Sequence, residues 1–134
     1  MERTFAIIKP DAMASGHAHE IIAIIKDHGF TIVGKEQRQL SRKEVEEFYA
    51  EHKERSFFPE VVAFMISGPV TLLALEKENA VKGWRDLMGA TDPAQASEGT
   101  IRKTFGRSKG NNATHGSDSP LSAARELAFF FPNL

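Results

Sequence analysis

Apolar positions along the chain follow two periods, and the residues between them set most of the element boundaries. Thr4 to Lys9 is a run of apolar and β-branched residues that stops at Pro10-Asp11, which predicts a buried strand ended by a proline-enforced turn and puts Lys9 at its C-terminal end. Ala18, Ile21, Ile22 and Ile25 then recur at helical spacing ahead of Gly29, so residues 17–28 form an amphipathic helix with a glycine cap. Phe30 to Leu40 reads as a second strand. Ser41-Arg42-Lys43-Glu44 has the spacing of a capping box, and the helix it starts carries Val45, Phe48, Tyr49 and His52 on one face. Phe57-Phe58 opens a mixed segment to Ile66, Ser67-Gly68-Pro69 punctuates it, and Val70 to Leu75 is an apolar run of strand length. Asn79 can cap a helix running through Met88. From Gly89 to Ser119 small and polar residues dominate, with only Ile101 to Phe105 helical. Pro120 suits the first turn of a last helix, on which Leu121, Ala124, Ala128 and Phe131 share a face.

The order strand, helix, strand, helices, strand, helix, loop, short strand, helix predicts an α+β fold. It is of the ferredoxin-like, split β-α-β kind, a four-stranded antiparallel sheet with helices packed on one face. At 134 residues the whole chain, 1–134, is expected to be one domain with one site. A polar stretch as long as 89–119 is usually functional in so compact a chain.

Charge and cysteine content narrow the chemistry. Lysine and arginine number 17 against 18 aspartates and glutamates, with no long run of one sign, which argues against a nucleic-acid module built on bulk charge. Zero cysteines remove disulfides, thiolate nucleophiles, zinc ribbons and iron–sulfur clusters. No apolar stretch approaches the roughly 20 residues that span a bilayer, and the N-terminus has no basic and apolar leader, so a cytoplasmic setting is expected.

No glycine-rich phosphate loop, zincin helix or nucleophile elbow is present, so any phosphate site must be built from side chains. The strongest candidate nucleophile is His115, within Asn111-Asn112-Ala113-Thr114-His115-Gly116-Ser117-Asp118-Ser119 and just ahead of a helix that carries Glu126. Histidine titrates near neutrality, so an unprotonated ring nitrogen can attack phosphorus, and a carboxylate or hydroxyl beside it can fix the tautomer. The spacing alone leaves a second reading open, a loop histidine before a capped helix. Lys9, Arg85 and Arg102 could converge on one polyphosphate, or each could be a solvated surface charge. Tyr49 and Phe57 are equally compatible with core packing, and Thr91 with a turn.

Six separated blocks resolve these alternatives. They are Arg3 to Asp11, Phe57-Phe58, Ser67-Gly68-Pro69, Gly89-Ala90-Thr91, Gly99-Thr100-Ile101-Arg102 and Asn112 to Ser119. In their order and spacing the chain resembles the nucleoside diphosphate kinases along nearly its whole length. The resemblance implies a Mg²⁺-dependent, ping-pong transfer of the terminal phosphoryl group of a nucleoside triphosphate, typically ATP, to a nucleoside diphosphate through a phosphohistidine on His115, maintaining NTP and dNTP pools. It implies that Lys9 touches phosphate and sugar hydroxyls, that Arg85, Thr91 and Arg102 bind the outer phosphates, and that Tyr49 lies near the nucleophile. It further implies that Asn112 bonds the ribose, that the base stacks on Phe57, and that Ser117 and Glu126 orient His115. Stacking uses the π-face that every base has, so broad base acceptance is expected.

No protein metal site is implied. Mg²⁺ is carried by the nucleotide phosphates, with Asp118 as the one candidate for a contact through water. The resemblance also implies a homotetramer or homohexamer built from dimers, with apolar surface in the second helix and second strand. The stretch Phe105 to Asn111 is more polar and glycine-rich than the family pattern, which leaves the path of that loop open. His17 and His19, two apart on a helix, face different ways and read as surface residues. Two other classes fit less well. A catalytically silent nucleotide-binding relative would not need every catalytic position filled, and a hydrolase using Ser117 or Ser119 with His115 lacks the glycine pattern of a nucleophile elbow.

Overall fold

The computed structural model describes residues 1–50 and 53–134, so the expected inward placement of His52 lies outside the described residues. Four strands, β1 (Glu2–Ile8), β2 (Thr31–Arg38), β3 (Val70–Lys77) and β4 (Thr114–Gly116), form one sheet in the order β2-β3-β1-β4. Every neighbouring pair is antiparallel, with Ile7 opposite both Leu72 and His115. The helices are α1 (Pro10–Ala14), α2 (Ala18–Asp27), α3 (Arg42–Phe48), α4 (Phe58–Met65), α5 (Ala80–Met88), α6 (Ile101–Phe105) and α7 (Pro120–Phe130). This is the expected α+β arrangement.

The helices cover both faces of the sheet, where one was expected. Ala6 and Ile8 of β1 pack with Ile21 and Ile25 of α2 and with Trp84 and Met88 of α5. Phe5 and Ile7 point the other way, onto Val45 and Phe48 of α3, Val62 and Met65 of α4, and Phe130 of α7. The signal lies in β1 and β3 themselves: Thr4 to Ile8 and Val70 to Leu75 are fully buried runs without polar alternation, as strands covered on both sides must be. β2 is an edge strand with no fully buried residue, its positions divided between exposed and half-buried.

One local expectation holds and three are corrected. The Ser41 and Glu44 capping box forms as expected, each side chain taking the other's backbone N–H. Asn79 does not cap α5 with its side chain; the Glu2 carboxylate accepts the Val81 N–H at 2.8 Å, from 79 residues away along the chain. On α7 the inward face is Ala123, Glu126 and Phe130, while Leu121 is 83% exposed and Ala124 and Ala128 are exposed, so the apolar stripe expected at 121, 124 and 128 faces solvent. The helix turns because a buried carboxylate, Glu126, takes a place that apolar periodicity assigns to another residue. His17 is half-buried with its ring 4.8 Å from that of Phe105, not a simple surface group.

Candidate active site

His115 sits in the middle of the three-residue strand β4, against the central strand β1, so its backbone is fixed by the most buried part of the sheet. β4 comes this close to α5 because residue 116 is glycine: a Cβ there would lie 2.6 Å from the Trp84 ring. The Trp84 indole N–H donates to the His115 carbonyl at 3.2 Å. The Phe48 and Tyr49 rings stand edge-to-face with the imidazole, their centroids 5.3 and 6.0 Å from its own and their planes at 70° and 89° to it, and limit its rotation. His115 Nε2 is 2.9 Å from Glu126 Oε1, and the Ser117 hydroxyl donates to the same oxygen at 2.9 Å. Glu126 and Ser117 are both buried. A carboxylate oxygen accepts, so Nε2 carries the proton and Nδ1 keeps its lone pair. The tautomer that sequence left open is thereby assigned. Burial and the Glu126 charge push the Tyr49 phenol well above its ordinary pKa, so it stays a neutral O–H beside the imidazole.

A second chain of contacts starts just past β1. Lys9 Nζ donates to Asn112 Oδ1 at 2.9 Å, and Asn112 Nδ2 donates to the Thr91 carbonyl at 3.0 Å. Three of the expected ligand residues are therefore linked before any ligand arrives. Burial lowers the Lys9 ammonium to about 8, helped by the Arg102 charge and opposed by Asp11. Burial also lowers Arg102 to about 10, with Arg85 contributing. Lys9, Arg102 and Arg85 thus form a line of mutually repelling cations, which an anion placed among them would relieve.

The two arginines expected to bind the outer phosphates have different surroundings. Arg102 is buried and gives Nη1 to the Gly89 carbonyl at 3.1 Å and Nη2 to the Thr114 carbonyl at 3.0 Å, bracing the residue next to His115. Its Nε is buried without a hydrogen-bond partner among the described residues. Arg85 is exposed and paired at 2.8 Å with Asp118, the carboxylate expected to reach magnesium through water.

A cavity of about 580 Å³ is walled by Lys9, Tyr49, Phe57, Thr91 and His115. Phe57 is 45% exposed at the start of α4 and lines this cavity. Lys109 lines the same cavity and went unremarked in sequence; its signal is a cation in a glycine-rich loop three residues before Asn112. Among the described residues no three histidine or acidic side chains cluster as a metal site. No described helix is long and apolar enough to cross a membrane.

Comparison with known proteins decides among the chemistries such a cavity could serve. The family model described as nucleoside diphosphate kinase matches residues 2–134. The chain belongs to the nucleoside diphosphate kinase family. It is 56% identical to the nucleoside diphosphate kinase of Deinococcus radiodurans over 131 residues, covering 98% of this chain and 95% of that one. It is 52% identical to that of Desulfotalea psychrophila over 134 residues, 100% of this chain and 98% of the other. The crystal structure of the Aquifex aeolicus nucleoside diphosphate kinase superposes with a TM-score of 0.95 at 44% identity, covering 97% and 94% of the two chains. That of the Halobacterium salinarum enzyme in complex with CDP gives 0.95 at 38% identity, covering 98% and 88%. As a nucleoside diphosphate kinase, the protein is a phosphotransferase that passes the terminal phosphoryl group of a nucleoside triphosphate to a nucleoside diphosphate.

Proposed function

We propose that the transfer runs in two steps through His115 Nδ1. The single observation that carries this is the 2.9 Å contact between His115 Nε2 and the buried Glu126 carboxylate, because it leaves Nδ1 as the basic nitrogen. In the first step the Nδ1 lone pair attacks the terminal phosphorus. An N–P bond forms, the P–O bond to the β-phosphate breaks, and the nucleoside diphosphate leaves with that electron pair. In the second a terminal oxygen of another nucleoside diphosphate attacks the phosphohistidine, and the N–P bond returns its electrons to Nδ1. As Nδ1 gains the phosphoryl group the ring becomes cationic, and Glu126 stabilises that charge through Nε2–H.

Lys9, Thr91, Arg85 and Arg102 bind the outer phosphates in this reading, Lys9 and Asn112 bind the sugar, and Tyr49 offers its neutral hydroxyl near the transferred group. The base stacks on Phe57. Ser117 joins Glu126 in orienting the imidazole. Magnesium arrives as part of the substrate: the phosphates supply its oxygens and, when bound, it neutralises their charge. Asp118 contributes by holding Arg85 in place.

The working unit is a dimer-based tetramer or hexamer. The exposed edge of β2 supports a self-assembly surface, since its unpaired backbone groups favour being covered. A sedimentation profile of lone monomers at micromolar concentration would contradict it. The cytoplasm, where nucleoside di- and triphosphates meet, is the proposed setting. The chemical step is tested by NMR of the enzyme phosphorylated with Mg-ATP: the phosphoryl group is expected on Nδ1 of His115, and its appearance on Nε2 would sink the two-step geometry.

A further inference from the structure

Asn112 and His115 are separated by a backbone turn that an L-residue resists. Ala113 has φ of 74°, and the Thr114 N–H donates to the Asn112 carbonyl at 2.9 Å, closing a three-residue γ-turn of the rare positive-φ hand. Such a conformation is strained for any residue with a Cβ and persists only where its surroundings hold it. The residue is alanine, fully buried, so the strain is not relieved by glycine.

Two contacts pinch the turn, both from the segment just after β1. The Lys9 N–H donates to the Ala113 carbonyl at 2.8 Å. The Ala113 N–H donates to Asp11 Oδ2 at 3.1 Å. The first is a backbone contact that almost any residue at position 9 could supply. The second depends on the side chain at 11. Among the described residues Asp11 Oδ1 is buried with no hydrogen-bond partner of its own, a cost that packing alone gives no reason to carry.

We infer that Asp11 is a positioning residue of the phosphotransfer site: its carboxylate holds the strained Ala113 turn and so fixes Asn112 and His115 relative to each other and to Lys9. The inference rests on the reading of His115 and Asn112 given above. Asp11 touches no reacting atom. Its effect is exerted through the turn, and the turn's need for a clamp vanishes if residue 113 can adopt positive φ unaided.

That gives a test by rescue. Asp11→Ala, Ala113→Gly, the double variant and Asp11→Asn are assayed for transfer from Mg-ATP to GDP, with thermal melting alongside. Asp11→Ala is expected to lower kcat by about tenfold or more, as small displacements of reacting groups do. Ala113→Gly, and the double variant with it, should both lie within about threefold of wild type, since glycine takes positive φ freely. A side chain that merely supported the fold would give losses that add in the double variant. Asp11→Asn keeps an acceptor oxygen and should keep kcat near wild type while raising the nucleotide KM, because a charge that helps keep Lys9 protonated is gone.

The inference is overturned if Asp11→Ala stays within about twofold of wild type, if Asp11→Asn loses as much kcat as Asp11→Ala, or if the double variant is no faster than Asp11→Ala. Should Asp11→Ala fail to fold, the comparison of the double variant with Ala113→Gly decides alone: equal activity supports the clamp, while an unfolded or slow double variant overturns it. Transfer retained by His115→Ala would instead sink the reading of the nucleophile, an outcome these four variants do not touch.

Discussion

Replacing Lys9 with methionine removes one ammonium whose charge the fold itself works against. Burial, with Arg102 adding to it, brings the Lys9 pKa from 10.5 to about 8. At pH 7 roughly nine-tenths of the free enzyme then carries the charge, and at pH 9 roughly one-tenth. With the charged form binding phosphate, kcat/KM of the wild type is expected to fall about tenfold between pH 7 and 9 along a single titration near 8. Lys9→Met should lie about 10- to 100-fold lower at pH 7, the worth of a charge-assisted phosphate contact, and should show no such limb. Stability moves the opposite way. A lysine with a lowered folded pKa binds fewer protons folded than unfolded, so the wild type gains stability as pH rises above 8, by about 1.5 kcal/mol between 8 and 9.5. Lys9→Met lacks that slope. Steady-state kinetics and urea unfolding across pH 7 to 9.5 measure both. A wild-type kcat/KM that stays flat to pH 9.5, or a variant that reproduces its slope, would refute the reasoning.

Three further substitutions probe the frame of the site. Gly116→Ala should destabilise the fold by about 2–4 kcal/mol and depress activity with it, because the new Cβ meets the rigid Trp84 ring at 2.6 Å; a melting temperature within a degree of wild type would contradict the close packing of β4 on α5. Phe57→Ala should raise nucleotide KM for every base by a factor equivalent to about 1–3 kcal/mol, with kcat less affected; a KM unchanged from wild type would argue against stacking. Arg102→Ala should lower thermal stability as well as activity, since it frees the Gly89 and Thr114 carbonyls, and should shift the alkaline limb of Lys9 upward by removing a repelling charge; an unmoved limb would separate the two cations.

Sequence carried the elements better than their burial. The capping box at Ser41 was legible because its partners are three residues apart, whereas the cap on α5 comes from Glu2 and no local pattern can show it. The α7 face was misread because periodicity assigns burial by hydrophobicity, while Glu126 is buried for its contacts with His115 and Ser117. The second covered face of the sheet was available in the unbroken apolar runs of β1 and β3, whose two sides period-two reasoning does not distinguish. At the site, the resemblance blocks pointed to Lys9, Asn112 and His115; the structure links Lys9 to Asn112 and sets His115 in the wall of the same cavity as Lys9. Asp11 stood inside one of those blocks without a role, because its contact is with a backbone amide 102 residues away. Arg102 was read as a phosphate ligand alone; that two of its donors brace backbone carbonyls is a fact of tertiary geometry.

The central claim is that His115 carries the phosphoryl group between substrates. Intact-protein mass spectrometry tests it most directly: wild type and His115→Ala are incubated briefly with Mg-ATP, and GDP is then added. The wild type is expected to gain one phosphoryl mass and to lose it on GDP addition as GTP forms, while the variant, folded and still binding nucleotide, does neither. A wild type that makes GTP without ever gaining the mass, or a His115→Ala variant that gains it, would contradict the account.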